Sequence, residues 1–490
     1  MRAMKGLLLG SAAGLIAVTG AQAADLPVKA KPVEYVKVCS LYGAGFYYVP
    51  GTDTCLKFGM YLRSDHMYNV GPGTYNLPGT AQYFDRRDTR NYNYRARMAL
   101  STDWRTQTDY GTLRAYALLI FQQDSADATA QGVAGLHRAF IQWAGFTVGH
   151  AVSYFDFFNG AAYGYSPSIW IGSTGVVGTD LIAYTWQLGN GFSASINIED
   201  GRTGRAATVI NAQAAAQLTV GGNVNSAQAL PTPDIAGSIR VDQAWGSAQV
   251  MAALHNINAT YYSLPGVALG AGAAGTTDYG HPGSAWGWAV GAGFKINNAF
   301  GIPRDNIEFQ IDYAEGATSY IYSIYYSNAW YGSGRSVGLG WASDGIYING
   351  SGVEKTEAWG FAAAYQHHWS PQWRTSVVGG YTEINYSATA RGWLCGAAGT
   401  GTGTIIGGVT TGTFSNCNPD FSMTALSTRT AWTPHPTLEI GLDLIWAHLD
   451  TAFAGTVNLP VAGARPSGIY TVEDQDYYGL VFRFQKTILP

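Results

Sequence analysis

The sequence predicts an all-β protein, a transmembrane antiparallel β-barrel of about sixteen strands. Three observations predict it: an exported chain with no apolar helix after its leader, strands carrying one apolar and one polar face, and aromatic rings at both ends of the apolar face. Only 12 % of the 490 residues are charged, about half of the roughly 25 % usual in soluble proteins, while aromatics reach 13 %. That balance excludes an intrinsically disordered chain, which needs much charge and few rings.

Residues 1–23 read as a signal peptide. Arg2 and Lys5 give a positive start, Gly6–Val18 an apolar stretch, and Ala21-Gln22-Ala23 the small residues of a cleavage site. Losing Arg2 and Lys5 leaves 26 of the 28 basic residues against 32 acidic ones, a net of −6 in place of −4. Such a balance carries no electrostatic footprint for nucleic acid. No later stretch approaches the ~20 apolar residues of a membrane helix. Residues 24–490 are therefore expected to form one barrel domain.

The stretch Asn91–Trp104 shows the strand pattern best. Its odd positions include Asn93, Arg95, Arg97, Ser101 and Asp103, and its even positions run Tyr92, Tyr94, Ala96, Met98, Leu100, Thr102 and Trp104. A strand crossing lipid has reason to place Tyr at one end and Trp at the other, because rings favour the two interfaces. The same period of two recurs at Leu56–Asp65, Ile307–Tyr313, Leu438–Trp446 and Tyr478–Gln485. A dry core would leave each unpaired charge of the polar rows at a cost of about 2–5 kcal/mol or more. A water-filled lumen removes that cost, and closure removes the strand edges that hydrocarbon cannot satisfy.

Alternating segments centre near Tyr61, Met98, Tyr116, Ile141, Val148, Tyr184, Ile196 and Ile239 in the first half of the chain. In the second half they centre near Met251, Val290, Ile311, Phe361, Val377, Leu426, Leu442 and Phe482. Asp103–Asp109 and Ser370-Pro371 read as tight turns; Asn69–Arg90, Arg202–Pro231, Leu264–Pro282, Ser319–Glu354, Tyr386–Asn418 and Thr451–Asp474 read as long loops. Short and long connections alternate as a membrane barrel requires.

The cysteines are Cys39, Cys55, Cys395 and Cys417. An exported chain can hold disulfides, and four cysteines allow three pairings. Proximity favours Cys39–Cys55 and Cys395–Cys417. No Cys-x-x-Cys pair suggests zinc or redox chemistry, and no metal or cofactor is expected.

Catalytic motifs are not assembled either. His150, Ser153 and Asp156 lack a Gly-x-Ser-x-Gly turn, and strand parity sets His150 and Ser153 on opposite faces. His367 and His368 are adjacent, so on a strand they point apart. Gly396–Gly408 is Gly/Thr-rich but has no Lys in phosphate-loop order.

From Val33 the chain reads VEYVKVCSLYGAGFYYVPGTDTCLKFGMYLR, and from Tyr477 it reads YYGLVFRFQKT. Both stretches resemble the outer-membrane porins of alphaproteobacteria, in which a paired-cysteine segment precedes the first barrel strand. The resemblance implies a sixteen-stranded barrel in the bacterial outer membrane, a homotrimer, and passive diffusion of small hydrophilic solutes and ions. It also implies that the loop after strand five, near Phe155–Thr179, folds into the lumen as a constriction. Porins of this kind usually finish on an aromatic residue; this chain ends Thr487-Ile488-Leu489-Pro490, which leaves two expectations, that Phe484 takes that part or that assembly is less efficient.

On that architecture, Asp156 and Asp180 offer negative charge from the loop. The inward parity of the first four strands carries Lys57, Arg63, Arg95, Arg97, Arg114 and Arg138. An acidic loop facing a basic wall sets a transverse field that a polar solute can follow. The plainer expectation is that these arginines pair with carboxylates such as Asp65 and Asp103 and brace the wall. Other functions have weaker support. A barrel-borne enzyme needs a Ser/His pair on one outward face, a soluble propeller needs a 40–50-residue repeat, and a plugged transporter needs more chain before Cys39. A substrate-specific channel stays open as the alternative to a general porin.

Overall fold

The alternation read from Asn91 builds one long strand, Tyr92–Thr108. Its even side chains look outward, Tyr92 63 % and Trp104 38 % exposed, and its odd ones look inward, Asn93 1 % and Arg95 2 % exposed. Side-chain direction on a strand repeats every two residues, so one sequence rhythm sorts the whole strand. The computed structural model describes residues 38–68, 82–83, 92–125, 133–165, 174, 178–201, 209–212, 231–259, 261–262, 280–322, 327–332, 335–395, 412–459 and 467–489.

Sixteen strands close a single ring. In chain order they are β1 (Cys55–Tyr68), β2 (Tyr92–Thr108), β3 (Gly111–Asp124), β4 (Val133–Trp143), β5 (Phe146–Ala151), β6 (Thr179–Gly189), β7 (Phe192–Glu199) and β8 (Asp234–Gln243). They continue as β9 (Gly246–Ile257), β10 (Ala285–Asn297), β11 (Asn306–Glu315), β12 (Glu357–His368), β13 (Trp373–Asn385), β14 (Phe421–His435), β15 (Leu438–Thr451) and β16 (Gln475–Leu489). Neighbours in sequence are antiparallel neighbours in space, and β16 returns to pair with β1, matching Arg63 to Gln485 and Asp65 to Arg483. All sixteen segment centres read from the sequence fall inside these strands. Closure leaves no edge backbone facing hydrocarbon.

Leu, Ile and Phe rows line the outer surface: Ile311, Leu444 and Phe484 are each 40–49 % exposed. Among the described residues no helix is long and apolar enough to cross a membrane, so the strands do the crossing. Rings stand at both margins of this outer belt, with Tyr68, Tyr92 and Trp286 toward the long loops and Trp143, Trp186 and Trp432 toward the short turns.

At the short-turn end Ala144-Gly145 and Asn190-Gly191 adopt positive φ at both central positions. That geometry matches the right-handed twist of the flanking strands, and it explains why Gly closes each turn. The turn expected at Asp103–Asp109 is shorter than the sequence suggested. β2 runs on to Thr108, because Asp103 and Arg105 continue the inward row as an ion pair (2.8 Å).

The loop end is more ordered than a set of open connections. Cys395–Cys417 staples the β13–β14 loop, beside the short helix α1 (Ala388–Leu394), whose Ser387 cap accepts from the Ala390 amide at 3.1 Å. Ser336–Trp341 of the β11–β12 loop pairs with Gly468–Val472 of the β15–β16 loop. Val209–Asn211 of the β7–β8 loop pairs with Gly345–Tyr347. The expected signal peptide and the Gly396–Gly408 run lie outside the described residues.

Candidate functional site: the lumen and its inward loop

The inner wall of β16, β1, β2 and β3 is a polar ladder built by strand register. Arg63 and Arg97 are direct cross-strand neighbours. Arg63 Nε donates to Gln485 Oε1 at 2.8 Å, and Arg97 Nε and Nη2 donate to Gln122 Oε1 at 3.1 and 2.5 Å. Both arginines are half-buried on the lumen face.

The other predicted arginines are drawn into the wall. Arg95 makes a two-pronged pair with Asp124 (2.6 and 2.8 Å) and is almost wholly buried. Arg114 does the same with Asp103 (3.0 and 3.0 Å), which Arg105 shares at 2.8 Å. Arg138 donates to its neighbour's carbonyl, His137 O. The Lys57 side chain runs beneath Gly45 of the segment that precedes β1. Bracing thus claims Arg95 and Arg114, whereas Arg63 and Arg97 rest on neutral amides.

The segment after β5 enters the barrel and runs along the inner wall from β9 to β16. Its described part, residues 152–165, carries few side-chain charges, so its backbone donates to acceptors the strands supply. The amides of Phe157 and Phe158 share Gln310 Oε1 at 3.1 and 2.6 Å, and the amide of Asn159 meets Glu308 Oε1 at 2.9 Å, all on β11. Tyr163 OH donates to Glu308 Oε2 (2.7 Å), and Ser376 Oγ of β13 donates to Tyr163 O (2.6 Å). On β15 the Tyr165 amide meets Asp443 Oδ2 (2.5 Å) and its hydroxyl Glu439 Oε1 (2.7 Å). Arg483 covers the Tyr165 ring at 3.8 Å and Arg429 approaches it from 5.3 Å.

Two glycines make room. A Cβ at Gly441 would collide with the Tyr165 hydroxyl, and one at Gly293 would lie 2.5 Å from the Phe157 ring. The inward loop is therefore held along the wall from β9 through β11 to β16, the strand that pairs with β1 and carries Gln485, the partner of Arg63.

One expected source of negative charge, Asp180, is corrected. Asp156 Oδ2 accepts from the amide and hydroxyl of Thr174 (2.6 and 2.5 Å), and its carboxylate also acts on the Arg138 guanidinium of the wall. Asp180 lies on the outward parity of β6 beside Ile182, bonded to His150 Nδ1 at 2.7 Å. The cause is parity: Thr179, Leu181 and Ala183 take the inward positions. Glu308, Glu439 and Asp443 on the wall behind the loop hold it by hydrogen bonds, and Glu308 and Glu439 are paired with Lys295 (3.4 Å) and Arg374. Strand alternation already marked these three as inward-facing; nothing local identified them as the acceptors of a loop from β5.

Both disulfides favoured by proximity are present. Cys39–Cys55 ties the segment before β1 to the inner rim at the short-turn end, where Phe46 lies 4.9 Å from the Arg105 guanidinium.

The chain matches the sequence profile described as the porin subfamily over residues 25–480. It is 34 % identical over 255 residues to porin Omp2b of Brucella suis, covering 50 % of this chain and 64 % of that protein. It is 38 % identical over 218 residues to porin Omp2a of Brucella ovis, covering 40 % and 60 %. Each alignment spans less than two thirds of the curated relative. In fold the chain is similar to the outer membrane channel DcaP of Acinetobacter baumannii, with a TM-score of 0.59 at 13 % identity over 90 % of this chain and 99 % of that one.

Proposed function

The chain belongs to the porin subfamily, and from that premise we propose that it is a general diffusion porin: a water-filled channel of the outer membrane that passes small hydrophilic solutes and ions without catalysing their conversion. The observation that carries this reading is the loop anchored inside the barrel along a polar inner wall that also carries Arg63 and Arg97. Ordered water inside such a lumen solvates the polar ladder, so a hydrophilic solute exchanges one hydration shell for another, while an apolar one disrupts it at a cost. Passage requires no moving part.

In this reading Arg63 and Arg97 set the field at the narrow section. Glu308 and Glu439 behind the loop are paired with Lys295 and Arg374, so the charge of Arg63 and Arg97 is the larger contribution to that field. Lys57 and Arg138 add positive charge along the same arc, and Arg95 with Asp124 and Arg114 with Asp103 brace it.

The assembly is proposed to be a homotrimer. An apolar groove on the outer face, lined by Leu62, Met98, Phe121 and Phe484 around Ser64, Ala96 and Ala134, offers a seat for a neighbouring copy. Residues 1–23 are proposed to be the export signal, removed before assembly.

Reconstitution into planar bilayers tests the function. The expected result is steady ohmic conductance, with sugars entering loaded liposomes at rates that fall with size. Folded barrels that carry no current, or that hydrolyse lipid in its place, overturn it. A heat-labile band at three times the monomer mass in detergent gels is expected for the trimer; a monomer at all temperatures overturns that part.

A further inference from the structure

The long β11–β12 connection does not behave as a surface loop. Tyr320, Ile321, Leu339, Ile346 and Tyr347 are all fully buried. They are covered by the inner faces of strands, because the groups that hold this segment point into the lumen. Tyr320 OH donates to Glu199 Oε1 of β7 (2.9 Å) and to Asp234 Oδ2 of β8 (3.0 Å). His255 of β9 stands between Asp234 (2.8 Å) and Asp344 of the segment (3.4 Å), and all three are buried. Asp344 in turn accepts from the amide and hydroxyl of Thr318 at 2.7 and 2.8 Å. Farther along, Leu339 O accepts from Thr451 Oγ1 of β15 (2.7 Å), and Gly340 lies against the Phe421 ring of β14.

One segment thus touches β7–β9 near its start and β14–β15 later on, a chord across the barrel's loop-end mouth. It lies above the arc that the first inward loop follows, and the two meet where the Phe155 and Tyr320 rings pack at 4.8 Å. Burying a histidine with two carboxylates is costly unless the geometry is fixed, so the cluster holds this chord in one position.

We infer that the described parts of the β11–β12 connection, residues 316–322 and 335–356, form a second inward-folded restriction of the channel, that they narrow the outer half of the lumen between β7–β9 and β14–β16, and that Tyr320 is their positioning residue. The inference rests on the diffusion-channel reading and adds where along the channel solute size is sensed: first at the loop-end mouth and again at the β5–β6 loop. The solutes it discriminates are neutral or charged hydrophilic molecules entering from the loop side, by bulk.

Polymer access tests it. Poly(ethylene glycol) of graded size is added to the loop-end side of single channels of the wild type and of Tyr320→Phe and Tyr320→Ala. The expected result is entry of larger polymers from that side in both variants, read as a larger polymer-induced drop in conductance, with higher polymer-free conductance in Tyr320→Ala. An unchanged size limit in variants that keep heat-modifiable mobility overturns the inference. Leu339→Cys supplies a second readout, since the four native cysteines are held in two disulfides. A membrane-impermeant maleimide is expected to label Leu339→Cys slowly alone and rapidly when combined with Tyr320→Phe; rapid labelling in both overturns the inference. Absence of current in the wild type would overturn the channel reading, whereas slow labelling of Leu339→Cys would still stand on its own.

Discussion

Arg63 and Arg97 face each other across the β1–β2 ladder, and each donates to the neutral side-chain oxygen of a glutamine on its far side, Gln485 and Gln122. A pair of like charges in direct cross-strand register repels. Water in the lumen screens that repulsion, so the pair is a place where the inner wall presents positive charge.

Replacing both, Arg63→Gln with Arg97→Gln, is expected to move the zero-current potential in a salt gradient toward cation preference. One charge in water acts over 4 Å with about 1 kcal/mol, which sets a change of up to about fivefold in the permeability ratio. The effect fades at 1 M salt, where the screening length is about 3 Å. An unchanged potential at 0.1 M would place these arginines outside the constriction.

Arg95→Ala is expected to act on stability instead of selectivity. It leaves Asp124 buried without its two-pronged partner, a loss of about 3–5 kcal/mol in comparable buried pairs. Urea midpoints of the refolded barrel check this, and the Arg95→Ala/Asp124→Ala double variant is expected to recover part of the loss. A selectivity shift with no stability loss would reverse the assignment.

Gly441→Ala is expected to push Tyr165 off β15, because the added methyl occupies the position of its hydroxyl. Tyr165→Phe keeps the ring under Arg483 and loses only the bond to Glu439, a charge-assisted hydrogen bond of about 1.5–3 kcal/mol. Open-channel current noise should rise more in Gly441→Ala than in Tyr165→Phe. Equal, quiet traces would mean the loop does not depend on this anchor.

Asp305 gives a pH dependence with a definite sign. Burial alone would raise its carboxyl, but hydrogen bonds from Tyr365 OH (2.6 Å), His367 Nδ1 (2.7 Å) and the His368 amide (2.9 Å) outweigh it and hold the carboxyl below the usual carboxylate range. A depressed folded value stabilises the fold above the unfolded value of about 3.9. That stabilisation is lost as pH falls through the lower folded value. Thermal midpoints measured from about pH 6 down to about pH 2 should fall more steeply in the wild type than in Asp305→Asn. Parallel curves would show that this carboxylate contributes nothing to the acid limb.

Reduction of Cys39–Cys55, or the Cys39→Ser/Cys55→Ser variant, is expected to lower stability by about 3 kcal/mol, the scale for closing a loop of this length. It also frees the Phe46 segment from Arg105 at the short-turn mouth. Unfolding midpoints with and without reductant measure the first effect; identical midpoints would show that the staple is not stabilising.

The sequence alone determined which side of each strand faces hydrocarbon and which faces water, because side-chain direction alternates with a period of two and lipid tolerates no polar row. That rule placed all sixteen strands, the inward Arg, Glu and Asp rows, and the aromatic margins. Partnership was decided only in the tertiary structure. Arg63 meets Gln485, 422 residues away, and Tyr165 meets Asp443, 278 residues away. Such pairs follow from ring closure, strand register and the landing point of a loop, none of which has a local trace. The end of the β5–β6 loop was not legible either: Asp180, read with the loop, belongs to β6 and falls on its outward face, one residue from an inward position. The inward β11–β12 segment was hidden for the same reason. Tyr320 and Asp344 look like ordinary loop residues until β7, β8 and β9 bring Glu199, Asp234 and His255 to one point at the mouth.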